Sequence, residues 1–162
     1  VKKSREYVLG FVTDGETVAL LYRHPSRPEQ QWQKGLLNGI GGGIEDGETP
    51  RQAMRRECAE ELGIMPPISD WHQFATLGGT NDDGTEWVVH CFVVRVVHPK
   101  GGYRAGIEEV VLVKDCELRE LKVIPNLHWL IPMAHVHQLW ACKETSHYRI
   151  TEQPVSAERD AP

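Results

Sequence analysis

Residues 41–64 read GGGIEDGETPRQAMRRECAEELGI, a glycine run feeding one helix-length segment. Thr49 takes the N-cap, Pro50 the first turn, where no intrahelical amide partner is needed, and Gln52 the position that closes a capping box. Gly63 supplies the stop. Between those signals Ala53, Met54, Cys58 and Leu62 recur at helical spacing and make a face that packs on a sheet. On the same helix Glu57, Glu60 and Glu61 stand at i, i+3 and i+4, and a turn of about 100° per residue brings them within roughly a third of the circumference. Like charges so placed cost about 0.2–0.5 kcal/mol per pair. They also lie in the last turns, where the macrodipole is negative. One reading is a solvated acidic face relieved by Arg55 and Arg56. The other is a divalent cation, magnesium or manganese, which takes hard oxygen ligands from one rigid face beside phosphate oxygens.

The chain has 162 residues, enough for one domain with its own core. Its formal net charge of -5 excludes a duplex-binding surface, which needs cationic neutralisation of backbone phosphates. Cys58, Cys91, Cys116 and Cys142 are scattered without zinc or CxxC spacing, which fits a reduced, cytoplasmic setting. No apolar run approaches the roughly 20 residues of a membrane span, and the start, VKKSREYVLGFV, lacks a leader pattern.

Apolar, β-branched runs at residues 6–12 and 17–22, separated by Asp14-Gly15, predict an opening hairpin. HPSRPEQQWQK, residues 24–34, reads as a polar loop whose one large apolar side chain is Trp32. Beyond the helix, residues 73–79 and 86–97 predict a second hairpin turning at Asn81–Gly84. Its run WVVHCFVVRVV is apolar enough for a central strand covered on both faces. His90 within it reads as a wall or core histidine. A glycine-rich loop then leads to Glu108 and Glu109, the strand VVLVK and a short helix in CELREL. From Ile124 a second large helix is expected, begun or kinked by Pro132. On it His135 and His137 point about 200° apart and do not share a metal. Residues 1–142 are expected to form the domain, and 143–162 a polar tail in which HYRIT can add an edge strand.

Gly42, five residues, Glu48, seven residues, then Arg56-Glu57-Cys58-Ala59-Glu60-Glu61-Leu62-Gly63-Ile64 resembles the Nudix hydrolase box in every fixed position. Cys58 stands where a bulkier apolar residue is usual. The resemblance implies an α/β/α sandwich around a mixed sheet, and hydrolysis of a diphosphate linkage in a nucleotide derivative with Mg2+ or Mn2+. It implies metal binding by Glu57, Glu60, Glu61 and the carbonyl of Gly41, water activation by Glu61 or Glu57, and a brace between Glu48 and Arg56. It also points to Glu108 or Glu109 as a general base or outer ligand.

LLNGIGGGIEDGET is similar to the segment of MutT-like hydrolases in which an Asn ahead of the glycines reads the base, and IPNLHWLIP loosely resembles their late pocket segment. Asn38 and Asn126 are the matching positions, and an amide suits them because it both donates and accepts. Trp32 is either a base-stacking ring or a partly buried loop anchor, and Asn38 alternatively a turn residue. Those relatives usually carry Lys where this chain has Gly43. The implied partner is a small-molecule nucleotide, a purine triphosphate such as 8-oxo-dGTP first, with ADP-ribose or dinucleoside polyphosphates next and a non-catalytic binding module last. No nucleic acid or membrane partner is expected, and the chain is expected to be a monomer or homodimer.

Overall fold

The computed structural model describes residues 4–24, 28–100, 102, 103, 108–140 and 148–151. In chain order these give strands β1 (Ser4–Thr13), β2 (Thr17–Tyr22) and β3 (Leu37–Asn38), then helix α1 (Pro50–Leu62). Strands β4 (His72–Thr80), β5 (Glu86–Arg95) and β6 (Val110–Lys114) follow, then helix α2 (Leu127–Trp140) and strand β7 (Tyr148–Thr151). The sheet runs β3-β2-β1-β5-β4-β7, with β6 on β2. Its centre is a parallel pair, β1 on β5, in register from Ser4 opposite Glu86 to Thr13 opposite Arg95. The flanking pairs β1–β2 and β4–β5 are antiparallel, so the sheet is mixed.

Alternation along β5 explains the layers. Cys91 and Val93 face a core shared with Leu127, Leu130, Ile131 and Ala134 of α2. Phe92 and Val94 face a second core with Ala53, Met54, Cys58 and Leu62 of α1, the four residues that the periodicity selected. The expected α/β/α sandwich is therefore observed, with β5 covered on both sides. Full burial of a side chain such as Met54 or Leu62 contributes about 1.5–3 kcal/mol, which is what fixes the rotation of α1 about its own axis. The helix starts and stops as its sequence dictates. Thr49 and Gln52 form a reciprocal capping box, and Gly63 caps the end in the left-handed region at φ 69°.

Four boundaries differ from expectation. Residues 24–34 are not wholly irregular, because Pro28–Gln33 form a 3-10 helix. The helix expected in CELREL is a 3-10 turn, Asp115–Glu117. The second large helix begins at Leu127, not Ile124, because Leu37 N–H donates to Lys122 O at 2.8 Å and Ile124 N–H to Leu37 O at 2.9 Å, drawing that segment alongside β3. Pro132 lies inside α2 and does not begin it. HYRIT supplies β7, which pairs in parallel with β4 as an edge strand; the rest of the 143–162 tail lies outside the described residues.

His135 clamps α2 to the sheet. Its Nε2 lies 3.2 Å from Thr13 Oγ1, and its Nδ1 2.7 Å from Asp115 Oδ2. His137 is buried against the Phe74 ring, so the two histidines serve different neighbours.

The opening hairpin turns as expected at Asp14-Gly15. Asp14 Oδ1 accepts the Thr17 N–H at 2.8 Å and the Glu16 N–H at 2.9 Å. Those bonds, the Thr17 one first, with help from His98, hold the Asp14 carboxyl at about 2, below its ordinary 3.8. A depressed carboxyl stabilises the fold above its unfolded pKa, and that contribution is lost as pH falls through the folded value. Asp14→Ala is expected to melt about 2–4 °C below wild type at neutral pH, the equivalent of one net hydrogen bond of about 1 kcal/mol. The gap should close as the pH drops from 3.8 towards 2. A gap that stays constant across that window in thermal melts would show that the turn does not depend on the ionised carboxylate.

Candidate active site

The glycine run is stitched to β1. Gly10 N–H donates to Ile40 O at 2.7 Å, Ile40 N–H to Gly10 O at 3.0 Å, and Val8 N–H to Gly42 O at 2.9 Å. This close approach requires glycine at 41, where φ is 155° and a Cβ would sit 2.1 Å from Val8 O. Gly42 is constrained from the other side, since a Cβ there would lie 2.4 Å from Glu57 Oε1. Loop and helix are thus in contact through Glu57.

Arg56 links the glycine loop to α1. Its Nε and Nη2 donate to Glu48 Oε1 and Oε2 at 2.9 and 3.0 Å, Nη2 also to Gly43 O at 2.9 Å, and Nη1 to Glu57 Oε1 at 2.8 Å. The Arg56 guanidinium holds the Glu48 carboxyl below the usual range. A two-pronged guanidinium–carboxylate pair adds directional precision to charge, and here it fixes the spacing between the glycine loop and α1.

The three helix acids, the ligands that the resemblance implied, are differently placed in the metal-free chain. Glu57 and Glu61 turn inward, whereas the Glu60 side chain is 59% exposed and among the described residues reaches Arg56, at 3.5 Å. The reason is rotational. Packing Ala53, Met54, Cys58 and Leu62 on the sheet puts Glu61 beside the buried stripe and swings Glu60, about 100° away, towards solvent. Among the described residues no three His, Cys, Asp or Glu side chains are gathered into a ready metal cluster.

Glu61 is held on both carboxylate oxygens. Its Oε2 accepts the Gly41 N–H at 2.9 Å and its Oε1 accepts Arg23 Nη1 at 2.9 Å. Burial pushes its carboxyl up to about 7, against the pull of Arg23 and Gly41. Burial likewise raises Glu57, against Arg56. Of the two later candidates, Glu108 joins this group: Oε2 accepts Arg23 Nη1 at 2.8 Å and Oε1 the His24 N–H at 3.0 Å. Glu109 is exposed, and its carbonyl takes the Tyr22 N–H at 3.0 Å.

Arg23 escaped the sequence reading. It stands between the strand expected at 17–22 and the loop expected at 24–34, and its partners lie 38 and 85 residues away, so no local pattern marks it. Burial opposes its charge, and Glu61 and Glu108 together outweigh that cost.

The donor set suits a hard divalent cation. Glu57, Glu61 and the Gly41 carbonyl are all oxygen donors, and the guanidinium seated against Glu61, Glu108 and Gly41 O demonstrates that this corner stabilises positive charge.

Asn38 and Asn126 stand on adjoining segments, joined by the bridge between Leu37 and Val123. Asn38 Oδ1 accepts the Gly39 N–H at 2.9 Å. Asn126 opens α2 by accepting the Leu130 N–H at 3.0 Å, while its buried side-chain Oδ1 has no partner among the described residues. Trp32 is 61% exposed.

Comparison with known proteins agrees with this fold. The family model described as NUDIX domain matches residues 3–138. A segment of 45 residues is 44% identical to the CTP pyrophosphohydrolase of Escherichia coli (strain K12), covering 28% of this chain and 33%, or about a third, of that protein. The solution structure of the E. coli ORF135 protein superposes with a TM-score of 0.65 at 22% identity, over 88% of this chain and 96% of that one. A MutT protein from Bacillus halodurans gives 0.63 at 21%, over 93% and 91%. The NUDIX domain of Shewanella oneidensis NrtR, complexed with ADP ribose, gives 0.63 at 21%, over 85% and 90%. With its box in register, its glycine loop braced to α1 and the family model matched over most of its length, this chain belongs to the Nudix family.

Proposed function

We propose that this chain is a divalent-metal-dependent pyrophosphohydrolase acting on a nucleoside triphosphate, a purine one such as 8-oxo-dGTP first, to give the monophosphate and pyrophosphate. The observation that carries the reading is the convergence of Glu57, Glu61, the Gly41 carbonyl and Glu108 around one corner of the glycine loop. A bound Mg2+ or Mn2+ would be held by Glu57, Glu61 and Gly41 O, and would supply phosphate neutralisation and an acidified water. The chain's own groups do the rest. The Arg56–Glu48 pair keeps loop and helix at fixed spacing, and Glu108, tethered by the His24 N–H, is the carboxylate placed to take the proton of the attacking water. Water oxygen bonds to phosphorus, the bridging P–O bond breaks, and pyrophosphate leaves. Glu60, outside this group, is proposed as an outer contributor only.

Base choice is assigned to Asn38 and to Asn126, whose buried Oδ1 has no partner among the described residues. A second reading, a diphosphate substrate such as ADP-ribose, is favoured by Gly43, which brings no side chain of its own to meet a third phosphate where a Cβ would point into open space. The test is Mg2+-dependent release of pyrophosphate or phosphate from a panel containing dGTP, 8-oxo-dGTP, CTP, ADP-ribose and a dinucleoside polyphosphate. The purine triphosphates should show the highest kcat/KM; a panel with no metal-dependent turnover would remove the enzymatic reading. On the preferred substrate Asn38→Ala should raise KM about tenfold, the worth of one or two lost hydrogen bonds, with kcat little changed. Unchanged KM would take Asn38 out of the pocket.

A further inference from the structure

One guanidinium at this site reaches oxygen acceptors from three separate stretches of chain. Arg23 Nη1 donates to Glu61 Oε1 at 2.9 Å and Glu108 Oε2 at 2.8 Å, and Nη2 to the Gly41 carbonyl at 3.4 Å. The first and last of these acceptors belong to the donor set assigned above to the divalent cation. The Arg23 and Glu61 side chains are each only 19% exposed, so solvent and salt screen the pair weakly. Two cations cannot use the same face of one carboxylate at hydrogen-bonding distance.

We propose that Arg23 is a built-in counter-cation for the acidic pair: it holds Glu61 and Gly41 O in the metal-free protein and yields them when the divalent ion arrives. The competition has two consequences. Without metal, Arg23 makes the inward-facing Glu57 and Glu61 compatible with the fold. With metal, Arg23 is left to Glu108 alone, so loading the site changes what holds the segment ahead of β6. By linkage, whatever weakens the Arg23–Glu61 contact tightens metal binding by the same factor.

The inference rests on the assignment of Glu61 and Gly41 O as metal ligands, and the experiment separates the two. Mn2+ is titrated by calorimetry into the full chain without nucleotide, in mildly alkaline buffer, and thermal unfolding is recorded in chelator and in excess Mn2+. Arg23→Gln is expected to bind Mn2+ on the order of tenfold more tightly than wild type. In chelator it should melt about 4–8 °C lower, with the gap narrowed by Mn2+. Arg23→Lys, which keeps a charge but not the fork, should fall between the two on both readouts and keeps the test open if the Gln variant does not fold. Glu61→Gln should lose most Mn2+ affinity. If Glu61→Gln binds as wild type does, the ligand assignment fails and the inference with it. If Glu61→Gln loses binding while neither Arg23 variant gains any, competition alone is overturned.

Discussion

Glu61→Gln is expected to lower kcat/KM for the preferred nucleotide about a thousandfold, with the melting temperature within a few degrees of wild type. The substitution is chosen for its shape. Gln keeps one oxygen, which accepts from either Arg23 Nη1 or the Gly41 N–H, so one of the two contacts at 2.9 Å that tie α1 to its surroundings persists and the other is lost. What disappears is the negative charge. A thousandfold corresponds to about 4 kcal/mol of barrier, within reach of losing a ligand that neutralises phosphate and activates water. Stability should move little, because burial already works against ionisation of this carboxyl, which stands at about 7. Steady-state kinetics with calorimetry decide the matter, and a folded variant with wild-type turnover would remove Glu61 from the chemistry.

The second large effect separates two neighbouring glycines. Gly41→Ala should unfold about 10 °C early, and Gly42→Ala should stay within a few degrees of wild type but lose about a hundredfold in kcat/KM. At 41 the added carbon would meet backbone, 2.1 Å from Val8 O and 2.9 Å from Val8 C, where β1 cannot retreat without breaking its pairing with β5. Such overpacking, on a φ of 155°, costs about 3 kcal/mol. At 42 the carbon would meet the tip of Glu57, 2.4 Å from Oε1, and a flexible side chain gives way. The fold bears the change and the carboxylate is displaced. Paired melts and kinetics test this; a fully active Gly42→Ala would break the link between Glu57 and turnover.

Much of this was legible in residues 41–64 because the deciding signals there are local. A cap, a proline, a stop glycine and four apolar residues at helical spacing specify α1, and the same spacing that buries Leu62 places Glu61 inward. Distant contacts leave no such local mark. Arg23 depends on residues 38 and 85 positions away. The separation of Glu60 from its neighbours depends on how far α1 rolls onto the sheet, which periodicity gives only coarsely. The start of α2 was misplaced because residues 122–124 bond to Leu37, a partner that no helical pattern contains. Choosing Glu108 over Glu109 likewise required knowing which way the chain turns before β6.

The central parallel pairing also orders events during synthesis. Each β1 residue from Ser4 to Thr13 is matched to one 82 positions later, while the nearer neighbour β2 is in register with Val12 and Thr13 only. A ribosome must therefore deliver residues 86–95 before most of the opening strand has its ladder, and loop closure over that distance is entropically slow. Until then the apolar run YVLGFV has one edge open, its other edge held only by β2 and the glycine run, which makes the interval between emergence of the first strand and the fifth the period in which a holdase chaperone has most to protect.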